Sequence, residues 1–265
     1  MPAIELLTAI GLPGVLGWEA VGVLAIAAFG TAALSALVGM AGGMILLAVL
    51  LIYADPLTAI PLHAAVQLIS NGSRTWIQRR SVRQDVVWWY AALLIPAGFL
   101  GVAFAKQLAP DALRATIGVF VLLATWAPRV LRLGSESARN ASPTRFVVLG
   151  GVAGFLNVTI GATGPLTAPF FRSLGLDRFG LIGTLAASQT LGHLAKICVF
   201  GVAGFAFYDY AALLTLLAGM VIAGTRLGSQ LLESANAQGF KVLYKTALTL
   251  LGLRLVVLAG LAALN

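Results

Sequence analysis

Three stretches of this chain carry no charged side chain at all: residues 20–54, 86–105 and 146–171. A helix needs roughly 20 apolar residues to cross the hydrocarbon core of a bilayer, and each run is long enough. The charge-free runs sit in a chain of 265 residues that is 60% hydrophobic and only 10% charged, with a mean hydropathy of +0.97. A soluble domain carries about 25% charged residues, so a soluble enzyme, a disordered chain and a secreted disulfide scaffold fit poorly. A transmembrane β-barrel would alternate polar and apolar residues over segments of about ten, whereas these runs are continuous. The fold class that follows is an all-α polytopic membrane protein.

The net charge of +8 does not point to nucleic acid. The basic residues sit in short loops between apolar runs, as the positive-inside rule expects. The single cysteine, Cys198, excludes an internal disulfide and a thiolate metal site. Glu5 precedes any Lys or Arg, the first of which is Arg74, so the basic start of a signal peptide is missing.

Ten apolar segments can be drawn, at about 18–38, 44–53, 57–78, 85–105 and 112–128, then 146–161, 165–174, 179–201, 208–228 and 240–263. Between the sets lies the loop Arg132–Arg145, the one stretch of linker composition. The expected organisation is a first membrane repeat over 1–131, a linker over 132–145 and a second repeat over 146–265. Met44–Tyr53 and Pro165–Leu174 are short, reaching only ~15 Å as helices. Each follows a glycine-rich break, Gly39-Met-Ala-Gly-Gly43 or Gly161-Ala-Thr-Gly-Pro165. Pro165 falls in a first helical turn, where a missing N–H does no harm.

The two halves read as copies. A shift of 122 places Gly39 on Gly161, Gly42 on Gly164, Gln67 on Gln189, Asn71 on His193 and Arg74 on Lys196, without a gap. Loop charge then gives orientation. Arg79, Arg80 and Arg83 make the loop after segment three cytoplasmic, and Arg129, Arg132, Arg139 and Arg145 do the same for the linker. Segment three runs outside to inside and its copy, segment eight, inside to outside, so the repeats are expected to be inverted. Both termini then fall outside the cytoplasm. Lys106 and Arg114, which flank a loop placed outside, run against the scheme. The first two segments of each half must form hairpins. Their short arms suggest turns near mid-membrane, which is tolerated only inside protein or beside a wet cavity. Inverted repeats with broken helices and a central site are the plan of many secondary transporters.

Two constellations can carry chemistry. The glycine breaks let the backbone turn and let a ligand approach. The helices starting there would aim free N–H groups and a positive dipole end at the membrane centre, a setting for an anion. The competing reading is tight helix packing. The expected contributors are Gly42, Gly43 and Gly164, with the Thr163 hydroxyl. The second constellation is a pair of polar stripes. Gln67, Asn71 and Arg74 share a helical face, and Gln189, His193 and Lys196 repeat the spacing. His63 extends the first stripe by a turn, but its counterpart is Leu185. Ionisable groups inside membrane segments are costly and usually face a pathway. Arg74 could instead snorkel to its nearby end, and His193 could serve a structural hydrogen bond. No acid accompanies these cations within their segments, so a substrate anion could be their counter-ion. Gln67 and Gln189 are expected near mid-membrane, with Arg74 and Lys196 toward opposite faces. There is no nucleophile elbow, zinc-protease motif or phosphate-binding loop.

The break GMAGG, the stretch GATGPLTAPFF and the following AASQTLGHLAK bring a family into view. With a short apolar helix after each break, the halves resemble the TauE/SafE family of sulfite exporters over about residues 20–260. Ala41 stands in the first glycine triplet, and Thr163 and Pro165 in the second. The resemblance implies export of sulfite, sulfoacetate or a related organosulfonate, as gradient-driven alternating access in a multi-pass protein of the plasma (inner) membrane. No cofactor or metal is implied, and the chain is not expected to be an enzyme. Expected partners are a small anionic substrate, the lipid bilayer and protons as coupling ion through His193, with no nucleic acid; a homodimer is left open. Alternatives are transport of another small anion or sulfur metabolite, a membrane enzyme with His193 or His63 as base, or a membrane scaffold.

Overall fold

The computed structural model describes residues 17–38, 42–131, 142–230 and 237–262. Among them there is no strand; eleven α-helices carry the fold. In the first half these are α1 (Trp18–Val38), α2 (Gly42–Tyr53), α3 (Pro56–Ile77), α4 (Gln84–Ala91), α5 (Leu94–Ala105) and α6 (Pro110–Trp126). In the second half they are α7 (Pro143–Thr159), α8 (Gly164–Arg172), α9 (Arg178–Val202), α10 (Ala211–Gln230) and α11 (Ala237–Ala262). Five stretches are long and apolar enough to cross a membrane: Trp18–Ser35, Gln84–Ala105, Arg178–Val202, Phe207–Gly228 and Val242–Ala262. The chain is a polytopic all-α membrane protein. The first glycine break (39–41), most of the linker and both termini lie outside the described residues.

The drawn segments correspond to the helices, with one difference. Segment four, drawn whole over 85–105, is two helices, with Leu93 at φ −112° between them. Pro96 explains the break, because its ring excludes the N–H that would bond the Ala92 carbonyl. The short segments remain short: α2 has 12 residues and α8 has 9. They reach about 18 and 14 Å, roughly half a bilayer core.

Local rules set the ends of the two central helices in the same way. Asp55 caps α3, its carboxylate accepting from Thr58 N at 3.2 Å, and Asp177 caps α9, accepting from Gly180 N at 2.8 Å. These aspartates are 122 apart, the repeat shift itself. Polar His63, Gln67, Ser70 and Asn71 in α3 are all buried, as are Ser188, His193 and Lys196 in α9. Both helices therefore turn polar stripes inward and apolar faces outward.

The most extensive helix pairs are α1 with α10, α6 with α11, α3 with α9, and α5 with α7. Lipid tails give apolar side chains no reason to associate, so close backbone approach does the work. A Cβ on Gly150 of α7 would overlap the Tyr90 carbonyl of α4, and one on Gly224 of α10 would overlap the Phe29 carbonyl of α1. Aliphatic side chains of α1, α2, α3 and α6 fill the larger core cluster. Val86, Tyr90, Phe146 and Phe171 fill a second beside α7.

Candidate functional site

The two polar stripes converge because α3 packs along α9. A cavity opens between them, with the starts of α2 and α8 in its wall. It is lined by His63, Gln67 and Arg74 from α3, and by Gln189, Gly192 and His193 from α9. Gly43 and Met44 line it from α2, and Ala162, Thr163, Gly164 and Pro165 from the second break. Ser35 of α1, Tyr90 of α4 and Asn157 of α7 complete the wall. Among the described residues, no carboxylate lines it. The space open to the centres of water-sized molecules is about 30 Å³. One ordered water needs roughly 10–15 Å³ by that measure, so the space suits a couple of waters or one small oxyanion.

Seven of the ten residues expected from sequence line this one cavity: Gln67, Arg74, Thr163, Gln189, His193, Gly43 and Gly164. The Gln67 amide lies against Gly43, where an added Cβ would meet its Nε2 at 3.2 Å. Thr163 precedes α8 without a side-chain capping bond, and its hydroxyl pairs with the Tyr90 hydroxyl across the wall.

Three of the ten lie behind the wall. Asn71 is buried, donates from Nδ2 to the Gln67 carbonyl at 3.0 Å, and accepts from Arg74 Nη2 at 2.9 Å. It orients the guanidinium from beneath. Gly42 faces α1: its N–H donates to Ser35 Oγ at 3.0 Å, and a Cβ there would overlap the Thr31 carbonyl. Lys196 is 1% exposed, and its Nζ donates to the Gly161 carbonyl at 2.8 Å and to Asn157 Oδ1 at 3.2 Å. Gly161 has φ +83°, a left-handed backbone that favours glycine. Helix α7 ends at Thr159, so the carbonyls near Gly161 lack helical partners. The ammonium supplies one, and it sits at the negative end of the helix dipole.

Sequence reasoning left Ser35, Tyr90 and Asn157 out of the site and did not commit to His63. One signal was available. Ser35 and Asn157 are 122 apart, so the repeat shift that pairs the stripes also pairs them. Tyr90 has no such counterpart, since the shift lands on Ala212.

A bundle of membrane-crossing helices around a polar cavity with cationic and amide walls belongs to the class of multi-pass membrane transporters. The family model for the sulfite exporter TauE/SafE matches residues 24–255. The chain belongs to that family, whose members are membrane transporters of sulfite or related anions. No curated protein and no solved structure gives a significant match.

Proposed function

We propose that the protein exports a small sulfur-containing anion, sulfite or a related organosulfonate, across the plasma membrane by gradient-driven alternating access. The anion binds in the cavity between α3 and α9. The observation that carries this reading is the convergence of the Arg74 guanidinium, the Gln67 and Gln189 amides and the Thr163 hydroxyl on one space with no carboxylate among the described residues of its wall. Fixed donors in a site of low dielectric match an oxyanion. The first turn of α2 adds N–H groups and the positive end of its dipole. Helix α8 adds less, because Pro165 lacks an N–H and Leu166 N already donates to the Thr163 carbonyl at 3.0 Å.

Helix pairing supports an inverted duplication. The contacts α1 on α10 and α5 on α7 are two equivalent contacts between the halves, while α3 on α9 and α6 on α11 pair a helix with its own copy. A twofold relation between the halves has that consequence, and the loop charges are what set its axis in the membrane plane. In this arrangement the linker is cytoplasmic and both termini are outside. Single cysteines in the linker on a Cys198→Ala background should then react with a membrane-impermeant maleimide only after cells are opened. Labelling from outside intact cells would reverse the scheme.

The substrate reading is tested by thermal-shift measurements on purified protein with a panel of oxyanions, followed by efflux from proteoliposomes. Sulfite should raise the midpoint and be transported, and Arg74→Gln should remove both responses. A panel without any stabilising anion would sink the reading.

A further inference from the structure

His63 of α3 and His193 of α9 pack edge to face with ring centroids 5.7 Å apart, and both line the cavity. They are 1% and 7% exposed. His63 Nε2 lies 2.9 Å from the Gly43 carbonyl oxygen. A carbonyl only accepts, so Nε2 carries the hydrogen, and Nδ1 of the neutral ring is a lone pair. That Nδ1 is buried without a hydrogen-bond partner, and so is Nδ1 of His193. Buried polar atoms nearly always have partners, and an unpaired one calls for a ligand or water. His63 Nδ1, its tautomer fixed by the Gly43 carbonyl, is a buried acceptor on a cavity-lining residue otherwise surrounded by donors, and the unpaired His193 Nδ1 lies on the ring packed against it.

A fully deprotonated oxyanion presents only acceptors. It would accept from the Arg74 guanidinium and the two glutamine amides, but it has nothing to give a histidine lone pair. We propose that the site takes its anion in a proton-bearing, monoanionic form, with the His63–His193 pair accepting the hydrogen bond from the anion's own proton. The ligand class is a small oxyanion that keeps a dissociable proton near neutral pH, as hydrogensulfite does. Dianions such as sulfate fall outside it, and so do organosulfonates, whose sulfonate head carries no proton in that range. The inference rests on the reading that this cavity is the substrate site, and it narrows the substrates named there. The groups around the pair are Arg74 on the same helix as His63, Lys196 one turn beyond His193 on α9, and Tyr90 from α4. Helices α2 and α8 bring backbone and, at the break, Thr163. With no carboxylate among the described residues of the wall, no protein anion there competes for the substrate's proton.

The test is calorimetric titration of the full-length protein in detergent with sulfite, sulfate and methanesulfonate, over a pH range that brackets loss of the second sulfite proton. The affinity for total sulfite should fall about tenfold per pH unit above that dissociation, as binding of one proton-bearing form requires. Sulfate and methanesulfonate should bind about 10- to 100-fold more weakly than sulfite at the low end, the effect of leaving buried acceptors unpaired. His193→Leu should narrow the sulfite-to-sulfate ratio about tenfold. Sulfate binding as tightly as sulfite at every pH would overturn the proton-bearing form while leaving the cavity as the anion site. Failure of all three anions to bind, or sulfite binding untouched by Arg74→Gln, would overturn the site and this inference with it.

Discussion

Replacing Lys196 with methionine is expected to cut transport by about 100-fold at equal membrane expression, and to lower the thermal midpoint of the purified protein. Methionine keeps an unbranched apolar stem in place, so packing changes little. What disappears is the ammonium between the Gly161 carbonyl and Asn157 Oδ1. Each buried acceptor left without a partner costs about 1–3 kcal/mol, and both lie where α7 gives way to α8. The break also carries Thr163 and Gly164 into the cavity wall. A displacement of ~1 Å in groups that position a ligand is enough to cost about 100-fold. Because Lys196 acts through the break, its loss should reduce stability and maximal rate together. Arg74→Gln, which removes a wall donor, should chiefly raise KM. Arg79→Ala serves as the comparison. Its guanidinium donates to the Trp76 carbonyl at 2.8 Å and lies over the Trp76 ring at the exposed end of α3, so transport should stay near the wild-type rate. Equal activity of Lys196→Met and Arg79→Ala would remove Lys196 from the mechanism.

Periodic and compositional signals in the sequence were strong enough to locate the described helices apart from the split between α4 and α5, because a membrane segment must satisfy its own backbone and announces itself by a charge-free run. The kink at Leu93 was also within reach, since Pro96 falls well inside a drawn segment. The polar stripes were legible for a different reason. Gln67 with Gln189, and Arg74 with Lys196, recur at one shift inside apolar segments, where polar residues are rare. What the shift could not tell was which side of each helix meets the cavity at each turn. Arg74 lines it, while Lys196 turns behind it to Gly161. Equivalent positions diverged because Asn157 and the left-handed Gly161 offer the lysine two acceptors. That environment is built from residues 35 and 39 positions away in the chain. Tyr90 was illegible on similar grounds: it reaches the cavity only because α4 packs on the glycines of α7.

Gly43→Leu is expected to abolish transport, by more than about 100-fold, in a protein that still folds and inserts. Gly43 is the second residue of α2, and its missing side chain is where the Gln67 amide rests. A Cβ alone would meet Gln67 Nε2 at 3.2 Å and Cδ at 3.3 Å. That contact is tight but lies against the end of a flexible side chain, so the helix itself need not move. The three further carbons of leucine have only the cavity to enter. A space of about 30 Å³ for water-sized molecules cannot hold them and an oxyanion together. At Gly219, on α10, an added Cβ meets nothing within 4 Å, and leucine there should leave transport intact. Helix propensity favours leucine over glycine by about 1 kcal/mol, so neither variant is handicapped by its backbone. The readouts are sulfite efflux from proteoliposomes and the thermal midpoint without anion. Gly43→Leu should keep a midpoint near that of the parent yet gain nothing on adding sulfite. Undiminished efflux through Gly43→Leu would mean that the anion passes elsewhere, because no small oxyanion could share the α3–α9 cavity with that side chain.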